Sequence, residues 1–186
     1  MSAVFEVRVH GRGGQGVVTA AELLSVAAFL EGRHAQAFPS FGSERTGAPV
    51  VAFCRISDRE IRTHAPIERP DAVIVQDATL LGALPVLDGV RPEGFVLVNS
   101  TKDITLGAGD VFVVPATEIA LELVGRPVPN AALLGGFAAV SGVVSLEAVS
   151  AAIRERFTGT VAEVNVAAAT RAFGIVRTEM EARQHA

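Results

Sequence analysis

The chain opens with Val4 to His10, where Val4, Phe5, Val7 and Val9 alternate with polar residues as in a half-buried strand. From Val17 the period changes. Val17, Ala20, Ala21, Leu24 and Ala28 fall on one face of a helix running to Leu30, with Glu22 and Ser25 off it. Gly32 is the stop signal. His34 to Phe38 reads as a short strand, Pro39 to Pro49 as a loop rich in Gly, Pro and Ser, and Val50 to Ile56 as another strand. A turn at Ser57 and Asp58 leads to a possible short strand at Glu60 to Arg62. Asp71 to Val75, Phe95 to Val98 and Val111 to Val114 have the apolar run of buried strands, and Ala78 to Leu87 reads as helical.

The last third turns helical. Leu146, Val149, Ile153 and Phe157 share a face, with Arg154, Glu155 and Arg156 toward water. Thr160 and Glu163 have the spacing of a capping box that would open the next helix. Beyond Ile175 the pattern is polar all round, which predicts a helical tail over 176–186, solvated or clamped on another subunit. Strands alternating with helices predict a single α/β domain over 1–186: a largely parallel sheet flanked by helices, with a helical C-terminal third.

Composition changes this picture in two places. Residues are 49% hydrophobic and only 19% charged, below the usual quarter, which excludes disorder and suggests surface buried against a partner. A net charge of −4 argues against a non-specific nucleic-acid binder. The uncharged run Pro127 to Leu146 is long enough to raise a membrane span. Its prolines, glycines and small residues predict instead a buried helix packed closely on sheet or partner. Met1 to Glu6 has no basic stretch before a long apolar one, so no secretory leader is read and the cytoplasm is expected. One cysteine, Cys54, allows neither an internal disulfide nor an all-cysteine iron–sulfur cluster from this chain alone.

The strongest chemical signal is Gly11-Arg12-Gly13-Gly14-Gln15-Gly16, a G-x-G-x-x-G between a predicted strand and a predicted helix, hence a Rossmann-like first turn. Glycines bring backbone N–H groups and the helix dipole to an anion, and Arg12 is a charged donor for the rim. The other reading is a tight turn that binds nothing. A nicotinamide site wants an acid at the end of the second strand, where His34 to Phe38 has none. A nucleoside-triphosphatase loop wants Lys and Ser or Thr where Val17 and Val18 stand. An anion bound without metal, such as a phosphate of coenzyme A, remains.

A second loop pairs Glu44 with Arg45 among small residues. Arg45 has the planar fork to grip a phosphate or carboxylate, with Ser43 or Thr46 donating; the alternative is a surface ion pair capping the loop. His10, His34, His64 and His185 have no ligand spacing. Asp77 suits a helix N-cap or a ligand contact, and Cys54 sits mid-strand. Asn130 and Asn165 are expected to be buried and to satisfy backbone, with ligand contact the other possibility.

Together the glycine loop, the segment Pro39 to Pro49 (PSFGSERTGAP) and Phe53-Cys54-Arg55-Ile56-Ser57 resemble the gamma subunit of the 2-oxoacid:ferredoxin oxidoreductases, of the pyruvate type. Asp71, Asn130 with Leu134-Gly135, and Asn165 with Ala168 and Gly174 extend the resemblance along nearly the whole chain. Thr46-Gly47-Ala48 departs from it, since many members carry a second Arg or Gly after the Arg.

Members decarboxylate a 2-oxoacid on thiamine diphosphate, pass electrons through [4Fe-4S] clusters to ferredoxin, and hand the acyl group to coenzyme A (CoA). The resemblance implies a subunit inactive alone, contributing to CoA binding and assembly. Thiamine diphosphate, Mg and the clusters would sit on alpha, beta and ferredoxin-like partners. No nucleic acid or membrane is implied. Gly11, Arg12, Gly13, Gly14, Gln15, Gly16, Ser43, Glu44, Arg45, Thr46 and Asn130 become the candidate CoA-binding residues, with no catalytic residue and no metal ligand. Gly109-Asp110 is followed by Val111, not by the glycine of a thiamine diphosphate motif. A purely structural subunit and a stand-alone nucleotide-binding reductase are the alternatives.

Overall fold

The computed structural model describes residues 4–40, 45–107 and 109–185. Six strands form one sheet: β1 (Phe5–Arg12), β2 (His34–Pro39), β3 (Pro49–Ser57), β4 (Ala72–Val75), β5 (Phe95–Asn99) and β6 (Asp110–Val114). Their order is β2-β3-β1-β4-β5-β6. From β1 outward through β4, β5 and β6 every pairing is parallel. β3 runs antiparallel to both β1 and β2, so β2 and β1 point the same way and β3 alone is reversed. β2 and β3 follow each other in the chain as antiparallel neighbours, as the strands of a hairpin do, while β1 reaches β2 by a helical crossover. The largely parallel sheet is therefore present, with one inserted strand.

Helices α1 (Val17–Leu30), α2 (Ala116–Leu123), α3 (Asn130–Ser141), α4 (Leu146–Arg156) and α5 (Gly159–Gln184) share one apolar core with the inward side chains of the sheet. Val7, Val9, Ile74, Leu97 and Phe137 are fully buried in it. The opposite face is covered by irregular chain, with Leu80 and Val86 packed on Val73, Val75, Val96 and Val98. Small residues let the helices lie close. In α3, Asn130 through Ala139 are all buried, which accounts for the uncharged run. At 12 residues α3 is about 18 Å long, well short of a bilayer core. Among the described residues no helix is long and apolar enough to cross a membrane.

Gly32 ends α1 as expected: its φ is +78°, its N–H reaches Phe29 O (2.9 Å), and Arg33 N–H reaches Ala28 O (3.1 Å).

Other expectations give way. Glu60 to Arg62 is not a strand. Ala78 to Leu87 shrinks to a 3₁₀ turn, Ala78–Gly82, because Gly82 and Pro85 interrupt it and its apolar residues are drawn onto the sheet. The capping box does not form. α5 starts at Gly159 with no side-chain cap, and Glu163 instead pairs with Arg154 at 2.9 Å. The tail is not polar all round: within α5, Val176 is fully buried and Met180 packs on the core, while Arg183 lies 4.3 Å over the Phe112 ring.

Candidate functional site

β1 continues two residues into the glycine motif, with Gly11 opposite Val50 and Arg12 opposite Pro49. Only Gly13 to Gly16 form the turn. They lie at the carboxyl end of β1, next to the carboxyl end of β4. Here the chain leaves β1 for one side of the sheet and, from β4, builds out the other. That is the switch point where open α/β sheets carry their crevice.

The structure brings the two sequence motifs together through backbone. Gly13 N–H donates to Ala48 O (2.8 Å) and Gly47 N–H to Gly13 O (3.1 Å). Gly13 also bridges Thr46 in parallel fashion. A Cβ on Gly13 would collide with the Arg45 carbonyl, so this loop-on-loop contact requires glycine. Arg45 and Thr46 are exposed beside it. Ser43 and Glu44 lie outside the described residues.

Arg12 is engaged by the protein rather than held open at a rim. Its guanidinium donates to Asp77 Oδ2 (3.1 Å), Gly47 O (3.2 Å) and Thr79 Oγ1 (2.9 Å). Gln15 folds back: its Oε1 accepts from Arg12 N–H (2.7 Å) and its Nε2 donates to Asp77 Oδ2 (3.2 Å). Asp77 caps the 3₁₀ turn through Thr79 N–H (3.0 Å), as the sequence allows, and ties Arg12 and Gln15 together, which the sequence does not signal. Burial alone would raise its carboxyl. Hydrogen bonds from Thr79 and Gln15 and the charge of Arg12 outweigh that and hold it below the usual carboxylate range.

The donors that remain are backbone groups. Gly14 (φ +91°) and Gly16 (φ +76°) adopt the left-handed region. Gly16 is the N-cap of α1, which has no side-chain cap and no acidic residue in its first turn. The N–H groups of Gly14 and Gly16 have no backbone partner among the described residues. A Cβ at Gly14 would meet nothing within 4 Å, whereas at Gly16 it would lie 2.8 Å from Asn130 Nδ2.

Asn130 opens α3, whose start likewise has no side-chain cap and no acid in its first turn. Two uncapped helix N-termini thus meet at the Gly16–Asn130 contact, each with orphan N–H groups and the positive end of its dipole.

Asn130 is 4% exposed and its Oδ1 accepts from Ala131 N–H (2.9 Å). Asn165 is also buried, its Nδ2 donating to Val161 O (2.8 Å). Both satisfy backbone, as expected. Both also line a cleft of about 180 Å³ walled by Val124, Arg126, Val128, Phe157, Val161 and Val164. The sequence gives no signal for that cleft, whose walls come from three separate elements.

Two groups contribute no chemistry here. Cys54 is fully buried in β3, and desolvation pushes its thiol up to about 12. His10, on β1, accepts from Arg8 Nε through Nε2 (3.0 Å); burial and the Arg8 charge bring it down to about 4. Among the described residues no three His, Cys, Asp or Glu side chains group to hold a metal.

The family described as "Pyruvate ferredoxin/flavodoxin oxidoreductase" matches residues 6–175. The chain belongs to that family. Pyruvate synthase subunit PorC of Methanocaldococcus jannaschii is 49% identical, over 91% of this chain and 96% of its own. The pyruvate/ketoisovalerate oxidoreductases common subunit gamma of Thermococcus kodakarensis is 48% identical, again over 91% and 96%. The crystal structure of pyruvate oxidoreductase subunit PORC from Thermotoga maritima superposes with a TM-score of 0.81 at 40% identity, covering 92% of this chain and 96% of that one. These similarities span both motifs and all six strands, and they carry the resemblance read from the sequence.

Proposed function

We propose that this chain is the gamma-type subunit of a multi-subunit 2-oxoacid:ferredoxin oxidoreductase, and that its glycine loop holds a phosphate of CoA. The observation that carries the second part is the meeting of two uncapped helix N-termini at Gly16 and Asn130, with Gly14 open in front. Such a place favours an anion bound by backbone N–H groups, without metal. Arg45, exposed beside the loop, is positioned for an added contact. Arg12 and Gln15 brace the loop rather than touch the ligand.

The chain's residues do not fit the redox groups. A single cysteine, buried and with a raised pKa, supplies no cluster. Thiamine diphosphate with Mg, and the [4Fe-4S] clusters, therefore belong in this reading to alpha, beta and ferredoxin-like partner subunits, which pass electrons to ferredoxin. The Thermococcus relative is named as common to a pyruvate and a ketoisovalerate enzyme. A gamma subunit shared by two acids suits a role in what the two reactions have in common, namely CoA, rather than in choosing the acid. Pyruvate is the favoured acid because the relatives' names carry it.

The test is Gly14→Ala in the purified complex. The added methyl meets nothing, so the substitution acts only by straining the backbone at φ +91°. With complex composition and kcat unchanged, the KM for CoA should rise about tenfold, the equivalent of one charge-assisted hydrogen bond. An assembled complex with unaltered CoA KM would make the loop a packing turn and this chain a structural subunit.

A further inference from the structure

We infer that the free edge of the sheet is an interface between two copies of this chain, joined along β2 about a two-fold axis. β2 ends the strand order and, among the described residues, pairs only with β3. Ser40 N–H donates to Val51 O (2.8 Å), in register with Pro39 opposite Ala52. Bonds in an antiparallel pair alternate, so Phe38 and Gln36 also bond to β3, while Ala37 and Ala35 turn their N–H and C=O groups outward. Edge strands are ordinarily protected by charges, bulges or a covering element. His34–Pro39 has no Asp, Glu, Lys or Arg and pairs without a bulge; only Pro39, at its end, limits further pairing.

The outward groups complement themselves. With Gln36 on the axis, Ala35 of one copy lies opposite Ala37 of the other, and the two such pairs exchange four N–H···O bonds. The side chains fit the same axis. Beside the start of β2, Phe29 of α1 is 71% exposed, at a groove that His34 and Ala35 also line. Toward the other end of β2, a second groove of about 420 Å³ lies between α1, Ala37 and α4. Its apolar lining is Leu23, Val26, Ala37 and Ala152, while Glu22, Glu155 and Arg156 are exposed around it. An apolar centre with a polar rim is the anatomy of an interface.

A two-fold perpendicular to the sheet keeps both helix layers on one side and sets the start of one β2 against the end of its copy. Each Phe29 then faces the other copy's groove, and every contact occurs twice in a closed pair. A strand of any partner could take the outward hydrogen bonds. Phe29 and the groove, however, lie on one chain at places the axis exchanges, and that selects a second copy.

Analytical ultracentrifugation of the full chain and its variants is the test. The natural chain should show a monomer–dimer equilibrium with no larger species. Gln36→Cys should close a disulfide between copies, because residue 36 meets its own copy at a non-hydrogen-bonded pair with Cα atoms about 4.5 Å apart. Cys54 is fully buried and does not compete. Ala37→Pro removes two of the four bonds and should raise the dimer Kd about thirtyfold; β3 does not use that N–H, so the strand itself survives. Phe29→Lys, which withdraws two rings from the interface, should raise it about a hundredfold. Leu121→Lys, at a position 50% exposed on α2, should leave it unchanged.

A chain still monomeric at millimolar concentration overturns the proposal. So does a dimer indifferent to Ala37→Pro or to Phe29→Lys, or one that Leu121→Lys weakens equally. If Ala37→Pro unfolds the chain by circular dichroism, the Gln36→Cys cross-link decides in its place, and its absence overturns the pairing. The same variant is then read in the purified complex. A cross-link there supports the two-fold; its absence gives the edge to a strand of another subunit and overturns the second copy as occupant.

Discussion

The cleft lined by Asn130 and Asn165 depends on how closely α3 and α5 approach, because α3 delivers the first and α5 the second. Gly135 is where the two helices touch. A Cβ built there would collide with the carbonyl oxygen of Ala169 in α5, and would lie 2.6 Å from its carbonyl carbon and 2.7 Å from its Cα. Comfortable contacts begin near 3.5 Å, so Gly135→Ala must push two helices apart by more than about 1 Å. Overpacking of this kind costs about 1–3 kcal/mol. The obstacle is backbone and cannot rotate away, which places the cost at the upper end. Exchanging Gly for Ala within a helix returns about 1 kcal/mol, leaving a net loss of about 2 kcal/mol.

Gly174, in α5 itself, is the control: it is exposed, and a Cβ there would meet nothing. Gly174→Ala should therefore stabilise by up to about 1 kcal/mol. Urea unfolding of the isolated chain, followed by far-ultraviolet circular dichroism, reads both. With a slope near 2 kcal/mol per molar urea, the midpoint should fall by about 1 M for Gly135→Ala and rise by up to about 0.5 M for Gly174→Ala. Two midpoints that rise together, with unchanged slopes, would show that α3 and α5 do not make this backbone contact.

Two further outcomes test the interior and the last helix. His10 titrates at about 4 when folded against 6.5 when free; across that window the unfolded chain holds a proton the folded chain does not, so stability falls as pH drops from 6.5 to 4, by about 3 kcal/mol in all. Urea midpoints at pH 7 and pH 4.5 should differ less in His10→Asn than in the natural chain, and identical pH slopes would refute the assignment. Thr160→Ala should leave the midpoint unchanged or slightly higher, since Thr160 lies inside α5 and caps nothing; a loss near 1 kcal/mol would restore the capping box.

Local chemistry made much of this fold legible, and long-range pairing made the rest opaque. The strand β1, the glycine cluster and the small-residue stripe of α1 each follow from adjacent residues and are present. The half-buried alternation read for β1 is not: Arg8 and His10 are buried as well as Val7 and Val9, because β1 is a central strand covered on both faces. The uncharged run resolved correctly because glycine and alanine predict close packing, which Gly135 on Ala169 exemplifies. The insertion of β3 between β2 and β1 has no local signature, since Val50 to Ile56 is equally apolar in any sheet position. The capping box misled because Thr160 and Glu163 fit the spacing, while Arg154 of the preceding helix competes for Glu163. The cleft was invisible because its walls come from the α2–α3 connection, the end of α4 and the start of α5.

Arg12 carries the sharpest physical consequence. In a glycine loop, an arginine suggests a cation waiting for phosphate, yet its guanidinium is bonded to Asp77, Thr79 and Gly47. Asp77 offsets its charge at 3.1 Å, and the Asp77 carboxyl is held ionised by the same contacts. The pair is close to neutral, so it adds little net field to the crevice. What favours an anion there is then the backbone: the N–H groups of Gly14 and Gly16, which have no backbone partner among the described residues, and the dipoles of α1 and α3. Side-chain substitution at Arg12 would disturb the loop's shape together with any ligand contact and so could not separate the two. A methyl at Gly14 changes the backbone alone, and for that reason the binding question is decided there.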